Sequence, residues 1–411
     1  MRLLTALLLL GVVGLSGSTP QLRTTTEPLA HDAYIWQRAW TPPVIAAVRG
    51  SADLVRAWRV LLAEADRSGR WADVAVPWKD LAGAGRPVVA VVRIDGRLDE
   101  ARIGALVDQI VARVATASGA AAAAGSGNAL TGLEIDYDCP TAKLATYARL
   151  LAGLRSRLPR PLALSITALP TWLNSRALES LAPPVDEIVL QVHAVEDPRR
   201  GLFDPARAEG WIREFGRRMG RPFRVALPVY DVRVSWHSDG RLASVEGEAP
   251  LLNGARDGAV LGAAPETILR FLNRLSVAAP QGLVGIAWFR LPTDADRRAW
   301  SLATWRAVIG GALPPRQIGA SLVPTERADL WSVALSNDGA TDALLPRQVR
   351  LDKACSLADG ANGFRLRTAG ASGDRSLILE AAGGGRLRAH RTRVIGWARC
   401  TQPRSELDVI E

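Results

Sequence analysis

The chain is 411 residues long and 48% apolar, enough for one large domain and a smaller one, and its composition is not that of a disordered protein. Its formal charge of +10 arises from arginines scattered among acids, with lysine only at Lys79, Lys143 and Lys353. No compact basic stripe with interleaved aromatics therefore argues for nucleic-acid binding. An anionic glycan stays open as a partner.

Residues 1–18, MRLLTALLLLGVVGLSGS, pair one arginine with a leucine-rich run too short to span a bilayer comfortably and end in small residues, the pattern of a cleaved export signal. Ser18 stands where an acylated lipoprotein would need cysteine. The expectation is a protein exported to the periplasm or medium, monomeric and without stable membrane insertion. Residues 19–32 read as a polar tail.

Apolar runs then alternate with amphipathic ones. Strands are expected at AYIW (33–36), WADVAVPW (71–78), PVVAVVRI (87–94), LTGLEIDY (130–137), PLALSITAL (161–169), DEIVLQVH (186–193), FRVALPVY (223–230) and LVGIAWF (283–289). Helices are expected at 101–114, 142–158 and 266–277 among others, and GAAAAAGSGNA (119–129) reads as a flexible linker. Strands alternating with helices imply a parallel sheet, and eight units over residues 33–312 match an α/β (β/α)8 TIM barrel, with a doubly wound open sheet as the alternative.

The fourth strand poses the functional question. Alternation sends Leu133, Ile135 and Tyr137 to one face and Glu134, Asp136 and Asp138 to the other. In a barrel the acids must point inward, rising toward the C-terminal mouth where active sites of this fold lie. Buried carboxylates need partners or a task. Glu134, lowest in the ladder, is equally readable as charge-paired with an interior Arg93 or Arg224. Asp136 and Asp138 stand where catalytic acids stand, and burial beside Asp136 is expected to favour the protonated form of Asp138.

GLEIDYD (132–138) resembles the fourth-strand signature of family 18 glycoside hydrolases, an acid-x-acid-x-acid strand whose last carboxylate protonates the glycosidic oxygen. Asp138 holds that last position, where the family has Glu. IDYDCPTAKLATYARLLAGLR, LALSITALPTWL (162–173), LQVHAV (190–195) and VIGWARC (394–400) resemble an uncharacterised family of exported bacterial proteins, a domain of unknown function with a glycosidase-like barrel. This second resemblance implies a barrel with its site at the end of strand four and supplies no established substrate; the family 18 resemblance implies a polysaccharide or oligosaccharide.

The other strand ends supply the remaining candidates. Asp95 follows the third strand, and Gln191 on the sixth fits the sugar-positioning role that a polar sixth strand has in family 18. His193 could orient a carboxylate or be plain hydrogen-bonded structure. Tyr230 and Asp231 end the seventh strand and open a long connection that reads as a hairpin around Asp239-Gly240, bringing Trp236, Glu246 and Glu248 toward the mouth. On the eighth strand Trp288 looks like the sugar-floor tryptophan of family 18, with Arg290 beside it, and Trp36 ends the first strand. Asp95, Asp231 and Glu246 are candidates for a second catalytic carboxylate. With four histidines in the chain no histidine-rich metal site can be built, an Asp136/Asp138/His193 cation site is the remaining metal reading, and no metal or other cofactor is expected. No Gly-rich phosphate loop appears.

From residue 313 short strands separated by Gly, Asn and Ser turns predict a small all-β, sandwich-like domain to residue 411, buttressing the barrel or binding glycan. Cys355 and Cys400 are expected to form a disulfide, with two buried free thiols as the alternative. Two functions from different classes follow: a glycoside hydrolase-like enzyme of an extracellular or envelope polysaccharide with Asp138 as general acid, or a non-catalytic glycan-binding or envelope scaffold on a degenerate barrel.

Overall fold

A computed structural model describes residues 29–125, 130–193, 201–237, 239, 241–246, 258–296, 298–370 and 376–410. The export-signal reading and most of the tail lie outside them. Eight parallel strands form the barrel: Ala30–Ile35, Ala57–Ala65, Val88–Ile94, Leu130–Tyr137, Ala163–Ala168, Glu187–Gln191, Phe223–Pro228 and Leu283–Phe289. Each pairs with its neighbours, and the first closes the ring by pairing with both the second (Asp32 opposite Ala57) and the eighth (Ala30 opposite Gly285). The closed ring decides against an open sheet.

Two expectations are corrected here. The second barrel strand is Ala57–Ala65, not 71–78; Trp71–Asp73 is a short antiparallel strand on its flank, and Trp78 opens the helix Trp78–Gly83. AWRVLLAEA is rich in good helix formers, so propensity hides its strand character, and pairing on both edges overrides it. The first strand starts at Ala30, within the expected tail. The expected linker is partly helix as well: Ile103–Ala123 runs through its alanines before the chain leaves the described residues at 126–129.

Strand alternation builds the barrel from both sides. Leu133, Ile135 and Tyr137 join the apolar layer under the helices, whereas Glu134 and Asp136 are buried inside. Helices cover the outside. Pro205–Met219 shows the local logic: Asp204 caps it by accepting from the amides of Ala206 and Arg207, Pro205 occupies the first turn, and Gly220 ends it at φ +56°.

The lower interior is an ionic cage instead of an apolar plug. Arg59 contacts Asp32 at 3.0 Å and also pairs with Glu134 and Glu187, while Arg224 reaches Asp32 at 3.1 Å and Glu187 at 3.0 Å. Glu134 further accepts from Tyr34 Oη (2.6 Å) and Ser165 Oγ (3.1 Å). Gly285 leaves room for this: a Cβ there would sit 2.1 Å from Arg224 Nη1 and 2.3 Å from the Ala30 carbonyl oxygen. Above the cage lies a thin apolar layer of Leu61, Val91, Val189, Ala226 and Ala287.

After the barrel, eight of the ten described strands from Ile318–Pro324 to Glu406–Ile410 form one antiparallel sheet, and Ala343–Leu344 pairs separately with Arg386–Leu387. The larger sheet folds back so that Cys355–Gly360 at one edge meets Phe364–Ala369 and Ser376–Ala381 at the other, around a separate apolar core. Cys355 and Cys400, opposite one another on adjacent strands, form the expected disulfide. This domain grips the barrel's mouth loops. Arg386 binds Asp231 (3.1 Å) and the Ala263 carbonyl, Arg388 binds the carbonyls of Thr293, Asp294 and Asp296, and Asp342 accepts from the amide of Ser301 at 2.6 Å.

Candidate functional site

A cavity of about 320 Å³ opens at the C-terminal mouth of the barrel. Its carboxylates are Asp136 and Asp138; its aromatic walls are Tyr34, Trp36, Tyr230 and Phe289. Arg38, Arg93, Thr167, Gln191 and His193 supply polar groups.

The three acids of strand four occupy three environments. Glu134 is fully buried in the cage and does not reach the cavity. Burial raises its carboxyl, and Arg59, Tyr34 and Ser165 act against that rise. Asp136 is buried at the cavity floor, with Oδ1 accepting from Thr167 Oγ1 at 2.7 Å and Oδ2 from Arg93 Nη1 at 2.5 Å. Burial pushes its carboxyl above the usual range against the pull of Arg93. Asp138 departs from expectation: its side chain is 51% exposed, in contact with Arg93 Nη2 at 3.3 Å, so the burial predicted for it falls on Asp136 instead.

His193 sits opposite on the sixth strand's extension. Its Nδ1 lies 3.2 Å from the Ala226 carbonyl oxygen, its ring stacks on Phe289, and burial lowers its pKa to about 4. Gln191, Tyr230 and Trp36 line the same cavity.

Four sequence candidates lie elsewhere. Trp288 is fully buried, pointing outward among Trp300 and Trp305 with Nε1 donating to His31 Nδ1 at 3.1 Å; alternation places Phe289, its neighbour, in the cavity. Asp231 is held by Arg386, and Arg290 is buried against Asp296 at 2.7 Å. Asp95 pairs with Arg67 in a neighbouring groove that also touches Arg38 and Arg93. The predicted hairpin exists, with Asp231–Trp236 paired to Leu242–Glu246 and to Gly258–Gly262. Trp236 is exposed but does not line the cavity. The Glu246 side chain and Glu248 lie outside the described residues.

Tyr34, Thr167 and Phe289 went unselected, although inward parity on strands one, five and eight would have found each. Among the described residues no cluster of His, Cys, Asp and Glu is arranged to hold a metal ion.

The class these features define is a closed (β/α)8 barrel with a carboxylate-bearing, aromatic-walled cavity at its mouth. The chain belongs to the family described as Domain of unknown function (DUF3142), whose profile matches residues 84–294, just over half of its length. A second profile, Domain of unknown function (DUF8456), matches residues 320–401 in the C-terminal domain. No curated protein matches. Among solved structures, the chain is similar to the spore cortex-lytic enzyme SleL of Bacillus cereus (13% identity, 70% of this chain and 75% of that chain, TM-score 0.49). It is likewise similar to a chitinase from Chromobacterium violaceum ATCC 12472 (14%, 69% and 98%, TM-score 0.49) and to the chitinase ChiA74 from Bacillus thuringiensis (11%, 93% and 100%, TM-score 0.44). The barrel itself rests on its own strand pairing.

Among the described residues, no helix is long and apolar enough to cross a membrane.

Proposed function

We propose that this protein is a glycoside hydrolase-like enzyme acting on an extracellular or cell-envelope polysaccharide, with Asp138 as proton donor to the glycosidic oxygen. The observation that carries this reading is the placement of a solvent-accessible carboxylate, Asp138, beside a buried one, Asp136, in a cavity walled by Trp36, Tyr230 and Phe289. Aromatic faces suit the C–H surfaces of a pyranose, while Gln191 and Thr167 offer partners to its hydroxyls. Asp136 positions Arg93, which in turn reaches Asp138. The Cys355–Cys400 disulfide suits an exported protein.

The test is reducing-end release from chitin, cellulose, xylan and alginate by the exported chain. Asp138→Asn is expected to lower turnover by roughly 100-fold or more on whichever polymer is cleaved, since general acid catalysis commonly supplies that much. Full activity in that variant would remove Asp138 from the mechanism. A second reading, glycan binding without hydrolysis, is favoured by one feature: Arg93 engages both carboxylates. It predicts retention of the wild type on one of these polymers with no reducing ends released.

A further inference from the structure

The mouth cavity does not end at its own wall. Arg38 and Arg93 line both it and an adjoining hollow of about 460 Å³, which shares Asp66, Trp71 and Asp95 with a third hollow of about 370 Å³. Together they form one cleft running from the cavity over the ends of strands two and three. Strand two builds its outer part. Beyond Ala65 the chain turns through 66–70, where Asp66 accepts from the amides of Ser68 (2.8 Å) and Arg70 (3.0 Å), and returns as Trp71–Asp73 with Trp71 opposite Ala65.

Trp71 is fixed in place. Its Nε1 donates to Gln109 Oε1 at 2.7 Å, and the Arg113 guanidinium lies 3.9 Å over the ring, itself tied to Asp73 at 2.6 Å. Arg113 lines neither hollow, so the indole meets the cleft with the surface that Arg113 leaves uncovered. A ring already held loses little freedom on stacking against the C–H face of a pyranose. Asp95 shares both hollows with it. Among the described residues its carboxylate is engaged by Arg67 alone, through Oδ2 at 3.3 Å, which leaves Oδ1 to accept from a hydroxyl.

Charge is balanced along the cleft among the described residues. In the second hollow Arg38, Arg70 and Arg93 stand against Glu64, Asp66 and Asp95; in the third, Arg67, Arg97 and Arg102 stand against Asp66, Asp95 and Asp99. Arg38 pairs with Glu64, Arg70 with Asp66 and Arg67 with Asp95. A cleft without net charge gives no compensation to a carboxylate entering it, whereas hydroxyls find donors and acceptors alike.

We propose that this cleft binds a neutral glycan chain several sugars long, with Trp71 as the platform for a sugar remote from the cavity and Asp95 as an acceptor for its hydroxyls. The proposal rests on the glycoside hydrolase reading above and names the substrate class within it: uncharged pyranose polymers in place of uronates.

The test is calorimetric titration of the full chain with oligosaccharides of two to six units. Thio-linked chitin, cellulose and xylan series bind without being cleaved, and alginate oligomers are the charged series. Affinity for at least one neutral series is expected to rise ~10-fold or more from two units to six, and to exceed that for alginate of equal length. Trp71→Ala is expected to weaken six-unit binding roughly 10-fold, the scale of one aromatic contact. Asp95→Arg, at an exposed position where folding is not at issue, is expected to weaken the neutral six-unit ligand and to raise alginate affinity roughly 3-fold. Affinity independent of length, or neutral six-unit binding unchanged in Trp71→Ala or in Asp95→Arg, overturns the cleft assignment. Alginate bound more tightly than every neutral series overturns the substrate class. Each of these leaves the hydrolase reading standing, because reducing-end release decides that separately. A chain that binds none of the series overturns the proposal, and one that also releases no reducing ends from the four polymers overturns the hydrolase reading with it.

Discussion

At the scale of single residues, the interior of this barrel is organised by Arg59. Its guanidinium touches Asp32, Glu134 and Glu187 from three other strands and is 1% exposed. Removing one partner of a buried ionic group leaves the others uncompensated, which commonly costs ~3–5 kcal/mol. Arg59→Leu is therefore expected to lower folding stability by about that much in urea denaturation; a loss under 1 kcal/mol would show that the cage is not a stability element. His31 gives a second prediction. Burial, aided by Arg224 and opposed by Asp32, lowers its pKa from 6.5 to about 4, and its Nδ1 accepts from Trp288. The unfolded chain then binds a proton that the folded one refuses as pH falls from 6.5 to about 4, so stability is full above that window and declines through it. The contribution is at most ~3 kcal/mol, and the difference in pH slope between wild type and His31→Asn checks it; identical slopes would refute it.

At the scale of elements, strand alternation was legible and helix-like composition misled. GLEIDYD showed its inward ladder because apolar and acidic residues alternate strictly, and the structure keeps that parity. AWRVLLAEA did not show itself, since Arg59 inside a leucine-rich stretch resembles a solvated helix face until its partners on strands one, four and six are known. Parity also explains the error at the eighth strand. Ala287 and Phe289 share the inner face, so Trp288 between them points outward.

At the scale of the molecule, the C-terminal domain is tied to the loops that carry Tyr230 and Phe289. Asp231 adjoins Tyr230, and Gly262 gives the Asp231–Arg386 pair its space, since a Cβ there would lie 1.7 Å from Asp231 Oδ1. The backbone of Val229 bonds to Phe289 and Trp300, locking the two loops together. Arg386→Ala is expected to cost roughly 2–4 kcal/mol, as for other nearly buried pairs that lose one partner. It is also expected to speed amide exchange at residues 229–236 and 289–301. Unchanged exchange there would mean that the domain docks without shaping the cavity wall.

The sequence by itself determined the alternation of strands and helices, the β character of the C-terminal region and the inward placement of Glu134 and Asp136, because periodicity is a property of the chain; ring closure and the Cys355–Cys400 disulfide were decided by the tertiary structure. Only the tertiary structure decided what each inward residue meets. Burial and ion pairing depend on strands far apart in sequence: Glu134 became structural through Arg59, Asp136 took the buried position, and Asp138 stayed open to the cavity. What Phe289 meets was decided the same way: strand pairing brings His193 and Tyr230 against its ring.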